Sequence, residues 1–247
     1  MIREYRSDDW DRYVMDFRHP HRVLEAVEQE IAVVDAALRT LHQAGVMPHV
    51  NYDHAKMLAH REAVRDLFDI PWTAITPRMQ RLLYAINVIK QPRNMIAAGV
   101  FCGNTFISNA GAAVGPGACY TARKLIGVEI VAAEAERAER NVRKIDSTGT
   151  AYVLAADALD MVAQFKDPID LLYLDANGGR GRGKGIYLEI LEAAYDRMPA
   201  GSLTLAHNSV NGGEHIQQYL EFVRNPANMS ASVNVIFDKE GLEVSAK

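Results

Sequence analysis

The sequence predicts an α/β fold, a mostly parallel sheet covered by helices on both faces, preceded by a helical extension. Three observations carry this. Short apolar runs recur at residues 94–100, 124–130, 151–157 and 169–175, each of buried-strand length and separated by stretches of helical period. Two glycines four apart, Gly99 and Gly103, close the first run in AAGVFCGNTF, and Glu129, Asp157 and Asp175 stand at the ends of the other three. The chain ahead of these runs has period 3.6 and no comparable strand pattern.

The extension is taken first. Trp10, Tyr13 and Phe17 are three or four residues apart within SDDWDRYVMDFRHPH, which reads either as one face of a short docking helix or as an aromatic lid over a cationic ligand. Val23, Val27, Ile31, Val34, Leu38 and Leu41 then mark a long amphipathic helix stopped by Gly45 and Pro48. A second helix is expected over residues 53–68. A third begins at Thr76-Pro77, an N-cap followed by proline in the first turn. The predicted division is residues 1–71 as extension or lid and 72–247 as the catalytic domain, with the break near 69–76.

The sheet residues carry chemistry. Gly99 and Gly103 let the turn after the first strand bring its backbone close to a ligand before a helix starts near Thr105, so Phe101 and Asn104 join them as binding candidates. Glu129 ends the second run, where a carboxylate accepts ribose hydroxyls, and Asp157 is placed to accept from an adenine amino group. Asp175 ends the fourth run at the same edge, and His207 and Asn208 leave a fifth run in LTLAHNSV. Ligands of open α/β sheets lie outside the carboxyl ends of the strands, so the ordered set describes one nucleoside-cofactor site. The glycine spacing is not GxGxxG, which disfavours NAD, and no GxxxxGK[ST] loop is present.

Between residues 177 and 185 the chain reads NGGRGRGKG, either a solvated loop or one that closes on the site and binds a carboxylate through Arg180 or Arg182. A short helix over 215–223 and a hairpin of 232–237 with 242–245 end the chain. With 247 residues, 49% hydrophobic and 23% charged, the chain has the composition of a globular enzyme. It has no run of eighteen apolar residues and no apolar leader, so the cytoplasm is the expected compartment. Cys102 and Cys119 are too few for a disulfide framework or a zinc site. A net charge of -4 without a long basic run argues against nucleic acid as the main partner and points to a small-molecule substrate.

On the first motif AAGVFCGNT, the acids Glu129 and Asp157 in its wake, LDAN at Asp175 and LTLAHNSV, residues 72–247 resemble the class I S-adenosylmethionine (SAM)-dependent methyltransferases, nearest their catechol O-methyltransferase-like branch. The resemblance implies a seven-stranded Rossmann-like sheet and SAM as cofactor. It places Gly99 and Gly103 at the methionine end of SAM, Glu129 on the ribose and Asp157 on the adenine. It also implies an N-terminal extension that covers the cofactor or forms a homodimer surface. Asp175 and His207-Asn208 match the segments that hold a metal in some members, but His207 stands where those have aspartate, and no metal is expected. The reaction expected is methyl transfer to a small acceptor, with Asp175 or His207 removing its proton and Asn208 beside them. Two alternatives stand: cyclisation of SAM alone to azetidine-2-carboxylate and methylthioadenosine, a lyase chemistry of the azetidine-2-carboxylate synthases on the same fold, and a non-catalytic cofactor-binding module.

Overall fold

The computed structural model describes residues 3–179 and 181–247. A short strand β1 (Glu4–Arg6) is followed by three helices, α1 (Val27–Gln43), α2 (His54–Leu67) and α3 (Pro77–Lys90). The alternating part runs β2 (Asn94–Ala98), α4 (Asn104–Ala110), β3 (Lys124–Glu129), α5 (Ala132–Ile145), β4 (Ala151–Ala155), α6 (Ala158–Gln164), β5 (Leu171–Leu174), α7 (Ile186–Tyr195) and β6 (Leu203–His207). Helix α8 (Gln217–Arg224), entered through a 3-10 turn, precedes the hairpin β7 (Ala231–Ile236) and β8 (Leu242–Ala246).

The local signals place these elements well. Thr76 accepts from the Met79 amide at the head of α3, and Gln91 closes that helix in the left-handed region. The residues of β2, β5 and β6 are all buried, as expected of strands covered on both faces.

The sheet order is β1-β7-β8-β6-β5-β2-β3-β4, parallel except for β8, which runs against both β6 and β7. Alternate residues of the central strands enter two cores. Met95, Ala97, Leu125 and Tyr173 pack with α1, α3, α4 and α5, and Ile96, Ala98, Leu172 and Leu174 pack with α7 and α8.

Three expectations change here. The sheet has eight strands and not seven, because Glu4–Arg6 adds to β7 in parallel, with Tyr5 opposite Val235 and its ring edge-on to Phe237. Three residues flanked by charges give no periodicity to read. Second, the chain around Trp10 and Tyr13 forms turns and no α-helix. Arg78, buried in α3, draws that segment in, pairing with Asp9 and Glu25 while its guanidinium lies 3.7 Å over the Tyr13 ring. The Trp10 ring lies instead under Arg6, at 4.8 Å. Third, α1 begins at Val27, leaving Val23 exposed. Residues of α1 and α2 share a single apolar cluster with residues of the sheet. No helix among the described residues is long and apolar enough to cross a membrane.

Candidate functional site at the carboxyl edge of the sheet

A cavity of about 560 Å³ opens over the carboxyl ends of the parallel strands. Its lining follows the strand order: Asp157 beyond β4, Glu129 at β3, Gly99 and Phe101 beyond β2, Asp175 beyond β5, and His207 with Asn208 at β6. Strands lie about 4.8 Å apart, so the four gaps from β4 to β6 span roughly 19 Å, room for a nucleoside with an extended tail and a second small molecule.

The turn after β2 is built by backbone geometry. Gly99 has φ +79°, and a Cβ there would lie 2.6 Å from the backbone of Ala176. The clearance glycine gives is thus used by the chain leaving β5 as well as by the cavity. Phe101 also sits in the left-handed region, φ +47°, a strained setting for a bulky side chain, and its amide donates to Glu129 Oε2 at 2.9 Å. The other oxygen of Glu129 accepts from Val131 N at 3.0 Å. Asn104, buried at the head of α4, donates to Thr73 Oγ1 and ties this turn to the segment before α3.

At the β4 end Asp157 caps α6, accepting from Leu159 N at 2.8 Å and less closely from Asp160 N. Ile130 and Val131, both exposed at 67% and 53%, and Leu159 line the same end with apolar surface. Exposed aliphatic side chains beside a carboxylate suit a flat nucleobase with an amino edge.

The β5–β6 end is a chain of alternating charges. Lys184 Nζ lies 2.9 Å from Asp175 Oδ1 and 3.2 Å from the Asp175 carbonyl oxygen. His207, 3% exposed, directs Nδ1 to Asp175 Oδ2 at 3.3 Å, while its Nε2 lies 3.0 Å from Glu240 Oε2. Burial pushes the His207 imidazole down, but the charge and hydrogen bond of Asp175, then the nearby carboxylate of Glu240, outweigh it and raise the group to about 10. Burial pushes the Asp175 carboxyl up, and His207 followed by Lys184 outweighs that and holds it below its ordinary range.

The two expected proton acceptors stand in contact, and their mutual contact favours a protonated His207 and an ionised Asp175, which leaves Asp175 as the carboxylate able to accept a proton. The same geometry bears on a divalent ion: both Asp175 oxygens already face nitrogens, of Lys184 and His207, while Asn208 donates through Nδ2 to Asn211 and keeps its amide oxygen free. One carboxylate already held by two nitrogens, an imidazole and a single amide oxygen do not fit an oxygen-rich metal site.

The aromatic residues of the extension do not line the cavity. Tyr13 is buried on Arg78, and Phe17 meets the site only through its backbone oxygen, which accepts from Thr73 N. The aromatic at the rim is Trp72, 49% exposed, its ring 4.7 Å from that of Phe101. In the glycine-rich loop Arg182 lines the cavity and pairs with Glu189 at 2.8 Å. Arg180 lies outside the described residues. Sequence reasoning therefore missed Trp72, Lys184 and Glu240. Trp72 lies within the expected domain break and drew no reading, and Lys184 is the last cation of NGGRGRGKG, visible as part of that loop without an assigned role. Glu240 lies in turn chemistry and carries no signal.

No protein-family model and no curated protein matches this sequence. Solved structures do. An O-methyltransferase from Bacillus cereus in complex with S-adenosylhomocysteine (SAH) aligns with TM-score 0.58 and 16% identity over 87% of this chain and 99% of that one. An O-methyltransferase from Streptomyces achromogenes in complex with SAM aligns at 0.55 and 20% over 79% and 90%. An SAH-bound methyltransferase from Podospora anserina aligns at 0.56 and 13% over 92% and 99%. These likenesses establish the fold of the class I SAM-dependent methyltransferases.

Proposed function

We propose that this chain binds SAM in the strand-edge cavity and transfers its methyl group to a small-molecule acceptor without a divalent metal. The observation that carries the reading is the alignment of Glu129, Asp157 and Asp175 with the Phe101 turn along one cavity in strand order. SAM supplies a methyl group on a positively charged sulfur, ready for in-line displacement by a nucleophile.

The chain's own residues divide the work. Glu129 has one backbone partner on each oxygen and retains lone pairs for two ribose hydroxyls. Asp157 faces the nucleobase end with the aliphatic groups of Ile130, Val131 and Leu159. Trp72 and Phe101 place aromatic surface beside the glycine turn, where a cation gains about 0.5–2 kcal/mol from each ring face it meets. At the far end Lys184 and His207 offer N–H donors on either side of Asp175 that hold an acceptor oxygen in place, and the Asp175 carboxylate takes the hydroxyl proton as the methyl group leaves sulfur for that oxygen.

The test is calorimetry with SAH, followed by incubation with SAM and a panel of hydroxylated small molecules, with and without EDTA. Stoichiometric SAH binding and methylated product insensitive to chelation are expected. Failure to bind SAH overturns the cofactor assignment, and activity that requires an added divalent ion overturns the metal-free part. Release of methylthioadenosine from SAM alone, above its spontaneous rate, overturns methyl transfer in favour of cyclisation.

A further inference from the structure

We propose that Glu240 is a positioning residue of this site: its carboxylate, held against Nε2 of His207 by the β7–β8 turn, keeps the ring turned so that Nδ1 faces Asp175. The inference rests on the reading above for what the site does, and on contacts alone for where Glu240 is.

The turn is held rigidly. Asp238 Oδ1 accepts from the amides of Glu240 and Gly241 at 3.0 and 3.2 Å, and its other oxygen accepts at 2.8 Å from Thr76 Oγ1, the N-cap of α3. Val210 N donates to the Glu240 carbonyl oxygen at 2.9 Å. Gly241, φ +70°, lies so close to the chain leaving β6 that a Cβ would come within 2.6 Å of Ser209 Oγ and 2.7 Å of Val210 Cγ2. The turn is therefore clamped to α3 on one side and to the residues after His207 on the other.

The carboxylate it carries is placed with equal economy. Glu240 Oε2 and His207 Nε2 are both buried, and neither forms a hydrogen bond with any other group. They face each other at 3.0 Å, off the line of a hydrogen bond, so their compensation is the attraction of opposite charges. The Glu240 side chain is 17% exposed, but its Oε2 is out of reach of solvent, so the His207 ring is what compensates that oxygen.

The groups around His207 leave it one orientation. Asp175 from the end of β5 takes Nδ1, Glu240 from the turn takes Nε2, and the Tyr187 hydroxyl from α7 donates to the His207 carbonyl oxygen. Lys184 stands behind Asp175, and the Tyr173 hydroxyl is buried in β5 without a partner. Removing Glu240 frees Nε2 and lets the ring turn or lose a proton, after which Asp175 keeps Lys184 as its one fixed cation. Glu240 thus acts through His207 on the carboxylate at the acceptor end.

The experiment follows the His207 ring by NMR of histidine-labelled full-length protein, in the wild type, in Glu240→Gln and in Glu189→Gln as a control whose carboxylate pairs with Arg182 on the loop side. In the wild type both ring nitrogens are expected to stay protonated until about pH 10. In Glu240→Gln the midpoint should fall by about one unit or more, a tenfold loss in proton affinity, while SAH affinity stays within about threefold because Glu129 and Asp157 are untouched. Glu240→Asp, with the charge on a shorter stem, should fall between the two and provides the reading if the Gln protein does not fold. An unchanged His207 midpoint in the Glu240 variants, or an equal fall in Glu189→Gln, overturns the proposal. Failure of the wild type to bind SAH would refute the SAM reading and leave the ring titration, which needs no ligand, standing on its own.

Discussion

Replacing Glu129 by Gln separates the two tasks this carboxylate performs. In the structure its oxygens accept from Phe101 N at 2.9 Å and Val131 N at 3.0 Å, and the first of these bonds holds a left-handed phenylalanine in the turn that faces the ligand. A glutamine side chain has a single acceptor oxygen, so one amide loses its partner and one ribose hydroxyl meets an N–H₂ group instead of an oxygen. Hydrogen bonds to charged groups contribute about 1.5–3 kcal/mol each, so losing the ribose contact alone should raise the SAH dissociation constant by about 10- to 150-fold. The lost backbone contact is partly exposed, so stability should fall by only about 1 kcal/mol, or about 2–4 °C in melting temperature for a chain of this size. Calorimetry and thermal denaturation on the same preparation read both numbers. A dissociation constant within about threefold of wild type, with normal folding, would falsify the placement of the ribose on Glu129.

Asp157 allows a similar separation, because asparagine caps helices as well as aspartate does: Asp157→Asn should keep the stability that Asp157→Ala loses, about 0.5–2 kcal/mol, while both weaken SAH binding. Equal SAH affinity in wild type and Asn variant removes the charge of Asp157 from nucleobase recognition. Two buried histidines set opposite pH limits. His207, raised to about 10, contributes its full stabilisation below the unfolded value near 6.5 and loses it as pH climbs through about 10, a span of up to about 5 kcal/mol. His60, pushed down to about 4 by burial and by the charge of Arg61, contributes fully above about 6.5 and loses about 3 kcal/mol as pH falls through about 4. Urea unfolding should show a maximum near pH 6.5 on their account, and stability at pH 9 equal to that at pH 6.5 would contradict the His207 assignment.

The legibility of this chain in its sequence follows the range of the interactions. Strand ends and glycine turns are local: the run ending at Glu129, the Thr76-Pro77 helix start and the glycines of AAGVFCGNTF each announce themselves within ten residues, and the structure puts them where those signals point. Trp10 and Tyr13 failed for the opposite reason. Their spacing is helical, yet the segment is organised by Arg78, about seventy residues away, which pairs with Asp9 and Glu25 and covers the Tyr13 ring. No periodicity encodes such a contact. Trp72 was hidden by its neighbours, since the Ile-Pro-Trp-Thr stretch reads as a break between helices, and only the fold shows that this break borders the cavity.

The acceptor end illustrates how topology assembles what sequence keeps apart. β6 and β7 point the same way, and β8 lies between them running against both, so the turn joining β7 to β8 must emerge at the edge where the parallel strands end. That edge is the ligand-binding edge of an open α/β sheet. Any side chain in the turn is consequently a candidate for the site, and Glu240 is the one whose carboxylate meets His207. The glycine-rich loop brings Lys184 back onto Asp175 nine residues after it leaves, through the Gly178 to Gly183 bridge. Histidine in place of a second carboxylate at position 207 then has a physical consequence. An imidazole between two carboxylates is favoured in its protonated form, so Lys184 and His207 both stand as nitrogen partners of Asp175 at this end of the cavity.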